Sequence, residues 1–308
     1  LTNKDLAMGG QAVIEGVMMK SPGLIVTSVR KPTGEIVSRV VPYLAVTKRY
    51  RILGLPVVRG GITLFEQLYH GINSLTFSAE VASAEEGKPK EAKGWTSSLW
   101  AALTVILALG VGLLLFFYVP LIIAGRTVSA GSGGVKESIL FNLVDGVVRL
   151  VIFFLYLGAL SMWKEMRKVF EYHGAEHKSI HAYEHGETLS IENVKKYTTR
   201  HPRCGTSFLL VVMVVSIIVF VFTGRPHNIQ ERLLRLLVVP VIAGLSYEVI
   251  KLAGKYREGF LMKALSAPGL AVQRFTTREP SDAQIEVALE ALRQAVGPEV
   301  EASHVGSN

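Results

Sequence analysis

The stretch SLWAALTVILALGVGLLLFFYVPLIIA, residues 98–124, runs for 27 residues without a charge. A helix of that length exceeds a hydrocarbon core of about 30 Å, so it reads as a membrane span. Three more stretches follow from it. Residues 139–163 (ILFNLVDGVVRLVIFFLYLGALSMW) are apolar but for Asp145 and Arg149, and residues 205–223 (GTSFLLVVMVVSIIVFVFT) carry no charge. Residues 233–250 (LLRLLVVPVIAGLSYEVI) are interrupted by Arg235, Pro240 and Glu248, so a buried or re-entrant helix is the alternative there. A hydrophobic content of 49% and a mean hydropathy of +0.36 suit a polytopic protein.

Loop charges orient these spans. Lysine and arginine number twelve before the first span, eight in 164–204 and seven after residue 250, against two in each of 125–138 and 224–232. Such a bias predicts a cytoplasmic (inner) membrane protein with both termini and the 164–204 segment on the cytoplasmic side. The net charge of +8 follows from that asymmetry and from anionic lipid, and no nucleic-acid motif accompanies it. The one cysteine, Cys204, excludes an internal disulfide. Residues 1–12 are polar with scattered glycine and show no signal peptide.

The polar parts carry order of their own. Residues 24–43 read as a β-hairpin around Pro32-Thr33-Gly34. Residues 61–82 have apolar positions at helical spacing and predict an amphipathic helix on the membrane surface or under the bundle. Residues 83–94 read as a charged linker, and 297–308 as a frayed tail. After Pro280, Ser281 and Gln284 predict a capping box. The expected fold is mainly α, a polytopic membrane helical bundle of about four spans with a small mixed α/β cytoplasmic cap. Its parts are 1–94, a bundle over 95–253 that includes the 164–204 loop, and a tail over 254–308 with the capped helix.

Chemistry concentrates in EYHGAEHKSIHAYEHG, residues 171–186, where His173, His177, His181 and His185 recur every four residues. On a helix the first three form one stripe, and two imidazoles at that spacing can share a metal ion. Glu176 and Glu184 flank the stripe, and His173, Glu176 and His177 make the H-x-x-E-H order of inverted zinc proteases, although the chain does not suit that soluble fold. A solvated, pH-sensing helix face is the plainer alternative. His201 and Cys204 have H-x-x-C spacing just before the third span, a common pair of ligands, although a lone cysteine there also suits a small buried residue. Glu248 in the fourth span lacks a local partner other than Lys251, and reads as a further ligand or base. Asp145 and Arg149, four apart, read first as a pair with each other. Glu15, within GGQAVIEGVMMKSPG, either approaches a site or points outward from a strand edge. Arg59 in VVRGG either meets a phosphate or simply starts a helix.

With GGQAVIEGVMM (9–19), VVRGG (57–61), EYHGAEHKSIHAYE (171–184), HPRCGTSF (201–208) and PGLAVQRFTTREP (268–280), the chain resembles the YqhQ-like family of uncharacterised bacterial membrane proteins. That resemblance implies a metal-dependent enzyme without naming a reaction. By motif it places His173, Glu176, His177, His181, His201 and Cys204 in the family's polar signatures. The expectation is a divalent-metal site at the cytoplasmic membrane face with His173 and His177 as core ligands, completed from His181, His201, Cys204 or Glu248. Zinc suits these donors first and iron(II) second. Glu176 is the expected general base of a hydrolase acting on a lipid head group or a peptide near the bilayer. Membrane lipids are expected partners, nucleic acid is not, and oligomerisation is left open. A non-enzymatic insertion or assembly factor with a structural metal is the second reading, and a small transporter using Asp145, Arg149 and Glu248 the third.

Overall fold

The computed structural model describes residues 8–84, 95–128, 134–202, 204–255 and 260–297. The proposed linker over 83–94 and the tail over 297–308 lie almost wholly outside them. Four strands, β1 (Gly9–Val13), β2 (Gly16–Lys20), β3 (Leu24–Arg30) and β4 (Ile36–Pro42), form an antiparallel meander in sequence order. Helices follow as α1 (Val46–Arg49), α2 (Val58–Ala82), α3 (Trp95–Leu113), α4 (Val119–Thr127), α5 (Val135–Met162) and α6 (Lys164–Glu184). Then come α7 (Ile191–Lys195), α8 (Gly205–Thr223), α9 (Ile229–Lys255), α10 (Phe260–Thr276) and α11 (Asp282–Val296). The fold is thus mainly α, with a small N-terminal sheet. Four helical stretches are long and apolar enough to cross a membrane: Leu103–Thr127, Val135–Met162, Gly205–Thr223 and Ile229–Leu252. The first joins α3 to α4 through one π-helical turn, Leu114–Tyr118.

The chain divides into two compact units, one of Leu1–Glu85, Ala159–Leu210 and Ala243–Asn308, the other of Glu86–Gly158 and Val211–Ile242. In the first, the sheet is covered on both faces. Val17, Met19 and Val26 pack against α6 and α11 through Tyr172, Ile180, Tyr183, Ile285, Leu289 and Leu292. Their neighbours Val13, Met18, Ile25 and Val29 face the other way, towards Phe77 and Val81 of α2. The predicted hairpin over 24–43 is therefore the β3–β4 half of a larger sheet. Its other half, β1–β2, turns at Ile14-Glu15, with Glu15 at φ 49°. Glu15 accepts from Lys168 Nζ (2.9 Å) and Tyr172 Oη (3.3 Å) of α6.

Helix α2 covers the predicted 61–82, and beside Phe77 and Val81 it meets the sheet with small residues. Gly71, Ser74 and Ser78 are buried, and Thr27 donates to Ser74 Oγ at 2.9 Å. Phe65, Leu68, Tyr69 and Ile72 are exposed. A Cβ on Gly60 would lie 2.8 Å from Gly244 Cα, so both glycines serve the close crossing of α2 and α9. Arg59, next to it, closes on Glu248: Nε donates to Oε1 at 2.7 Å and Nη2 to Oε2, while Val57 N–H adds a third donor. VVRGG is a helix start with an ion pair. At the other end, Ser281 and Gln284 make the capping box of α11.

Within the second unit several buried polar groups pair with one another. Arg149 Nη2 meets Asp145 at 2.8 Å and Nη1 meets Ser216 Oγ at 3.1 Å. Arg235 donates to Asn142 Oδ1 at 2.8 Å. Phe220 lies beneath both guanidinium groups, at 5.4 Å from Arg149 and 4.9 Å from Arg235. Asp145 and Arg149 are thus paired with each other, and Glu248 is engaged by Arg59.

Candidate metal centre

Helix α6 is polar in composition yet buried over Gly174–Ile180, with Glu176, His177, Lys178 and Ser179 all inside. Such burial is costly unless each group finds a partner. Lys178 Nζ meets Glu279 at 2.6 Å. Gly174 lets residues 277–279 run against the helix: a Cβ there would collide with the Arg278 carbonyl, whose own N–H donates to Phe170 O at 2.9 Å.

The histidines are held by backbone carbonyls from two other segments. His173 Nδ1 donates to Thr276 O at the end of α10 (2.7 Å). His177 Nδ1 donates to Thr199 O (2.6 Å), and His181 Nε2 to Arg200 O (2.9 Å), both in the loop before α8. A ring nitrogen that donates fixes the tautomer and leaves the lone pair on the other nitrogen. For His173 and His177 that atom is Nε2. His173 Nε2 lies 3.2 Å from Cys204 Sγ, and the two rings are 4.4 Å apart between centroids. Cys204 is buried immediately before α8, whose Thr206 N–H points at the sulfur from 3.5 Å.

Two groups of donors result. One atom each from His173, His177 and Cys204 lie within 4.8 Å of one another, as do one each from His181, Glu184 and His201. Both groups can hold a divalent ion. His185 turns aside, exposed, with Nδ1 on His181 O (2.7 Å) and its ring 4.9 Å from Tyr197. Glu248 belongs to neither group. Glu176 Oε2 lies 3.7 Å from His177 Nε2 and 3.9 Å from His173 Nε2. Burial pushes its carboxyl above the ordinary range, against the pull of the neighbouring His173 and His201. Gly10 on β1 makes room for it, since a Cβ there would sit 2.7 Å from Glu176 Oε1.

Some functional groups have no sequence signature in the stripe. Gln273 of α10, fully buried, accepts from His201 N–H and donates to His201 O, both at 2.8 Å, and also reaches Ser207 Oγ at 3.1 Å. An amide within the apolar run GLAVQRF was the available signal. Glu184 was visible beside the stripe, and its partner His201 Nε2 lies 3.6 Å away.

Burial lowers His177, and lowers His181 to about 4 against an ordinary 6.5. The neutral, ligating forms therefore persist into acid. The sign for stability follows: the unfolded chain binds these protons first, so the stability they hold is intact above pH 6.5 and is lost as pH falls towards 4. Metal-free protein should melt at progressively lower temperature across that window, and His181→Gln should flatten the slope. An unchanged slope would contradict the burial.

The family model described as "Protein of unknown function (DUF1385)" matches residues 55–298. The chain is 32% identical over 295 residues to "Uncharacterized protein YqhQ" of Bacillus subtilis (strain 168), covering 94% of this chain and 92% of that protein. No solved structure matches it.

Proposed function

The chain belongs to the DUF1385 family, and from that premise we propose a membrane-embedded metal-dependent hydrolase. His173, His177 and Cys204 hold one divalent ion, and Glu176 is the general base. One observation carries the reading: two imidazoles locked by Thr276 O and Thr199 O present Nε2 lone pairs beside a buried thiol. Three protein ligands would leave the fourth position of a tetrahedral ion to water, the arrangement of catalytic zinc. Two nitrogens and a sulfur favour zinc, then iron(II).

An ion held there would supply a coordinated water that ionises near neutral pH. Glu176 is placed beside both ligating rings to take the proton of that water. Were that water to add to the carbonyl or phosphoryl centre of an ester or amide as the bond to the leaving group broke, Glu176 would be the group that takes the water's proton and returns it to the leaving group. Cys204 directly precedes the apolar α8, so the substrate class is a lipid head group or a peptide near the bilayer. On the charge bias, 1–94, 164–204 and 254–308 face the cytoplasm.

The test is Glu176→Gln in purified protein, assayed against chromogenic carboxylate esters, phosphate esters and anilides. Wild type should hydrolyse one class and lose that activity to a chelator. The variant should keep its metal and lose about 10²–10⁴-fold in turnover, the range for a general base. Full activity in the variant would remove Glu176 from the chemistry.

A further inference from the structure

We propose a second divalent-cation site, formed by His181, Glu184 and His201, which makes the centre dinuclear. The inference rests on the reading that His173, His177 and Cys204 hold the first ion. Six donors exceed the four positions of one tetrahedral zinc, and the two sets share no ligand. Two histidines and a glutamate are a donor set found in catalytic zinc sites.

Each member is placed by something specific. Glu184 follows His181 by three residues on α6, so both project from one helix face. His201 comes from the loop, its backbone gripped on both sides by Gln273, and its ring lies 4.6 Å from that of His181. His201 is also the bridge between the sets, with its ring 5.7 Å from that of His177. Glu176 is buried beside His173 and His177 of the first set.

The experiment is elemental analysis of full-length protein in detergent, loaded with cobalt(II) and freed of excess, beside His181→Ala and Glu184→Gln. Absorption from the Cys204 thiolate to cobalt reports the first site independently. Wild type should hold two ions per chain. Both variants should hold one, with the thiolate absorption unchanged, which also shows that they are folded. One ion in wild type with the thiolate absorption present, or two ions in both variants, overturns the second site alone. No ion in wild type overturns the first reading as well.

Discussion

His177→Ala loses the ion held with His173 and Cys204, with affinity falling at least about 100-fold. Removal of a mere supporting group around a metal already costs about 10–100-fold, and a direct ligand costs more. The effect is large because the site loses one of its two imidazole ligands, and Glu248 is held by Arg59. Competition with a calibrated chelator measures it. His185→Ala, on the same helix but exposed and turned aside, is the control and should leave affinity unchanged. Equal retention of metal in His177→Ala would mean that the histidines serve only as hydrogen-bond partners of the backbone.

The largest effect on stability is expected from Gly174→Val. The glycine is not needed for an unusual backbone angle, since it lies within α6. It is needed because the chain at Arg278 passes where a side chain would begin, with Thr199 Cγ2 3.2 Å from the same point. Both neighbours lie in the segments that hold the rings: Thr199 O accepts from His177, and Thr276 O, two residues before Arg278, accepts from His173. Overpacking of this kind costs about 3 kcal/mol. For a unit of this size that lowers the melting temperature by roughly 6–12 °C. Metal affinity should fall with it, because the carbonyls that fix both tautomers are displaced. Gly9→Ala is the control, as a Cβ there meets nothing within 4 Å. A melting temperature within about 1 °C of wild type for Gly174→Val would contradict the packing described, given that range.

The fold was legible where one physical signal dominates. Long runs with at most two charged residues each set the four apolar helices, because a span must be apolar over most of its length. The β3–β4 hairpin was readable from its turn at Pro32–Gly34, and α11 from its Ser281–Gln284 cap. The strand β2 was not, since Val17, Met18 and Met19 are all buried between two layers, which erases the alternation that marks a half-exposed strand. Glu15, which interrupts that run, is a turn residue. Helix α10 was lost in the presumed tail, and with it Gln273 and Thr276.

For the site, the i, i+4 spacing of His173, His177 and His181 was sufficient to find the stripe, and H-x-x-C to find Cys204. What fixes their chemistry was not visible there. The acceptors for the three rings are backbone carbonyls of Thr199, Arg200 and Thr276, which any residue type supplies. Glu248 looked unpartnered because its partner, Arg59, is 189 positions away.

The central claim is that His173, His177 and the Cys204 sulfur share one divalent ion. Cobalt(II) in the purified protein tests it most directly, through the intense near-ultraviolet absorption that a thiolate bound to cobalt produces. The prediction is a strong band in wild type, absent in Cys204→Ser and weakened beyond detection at equal cobalt in His177→Ala. A wild-type protein that binds cobalt without that band, or a band that survives Cys204→Ser, would contradict it.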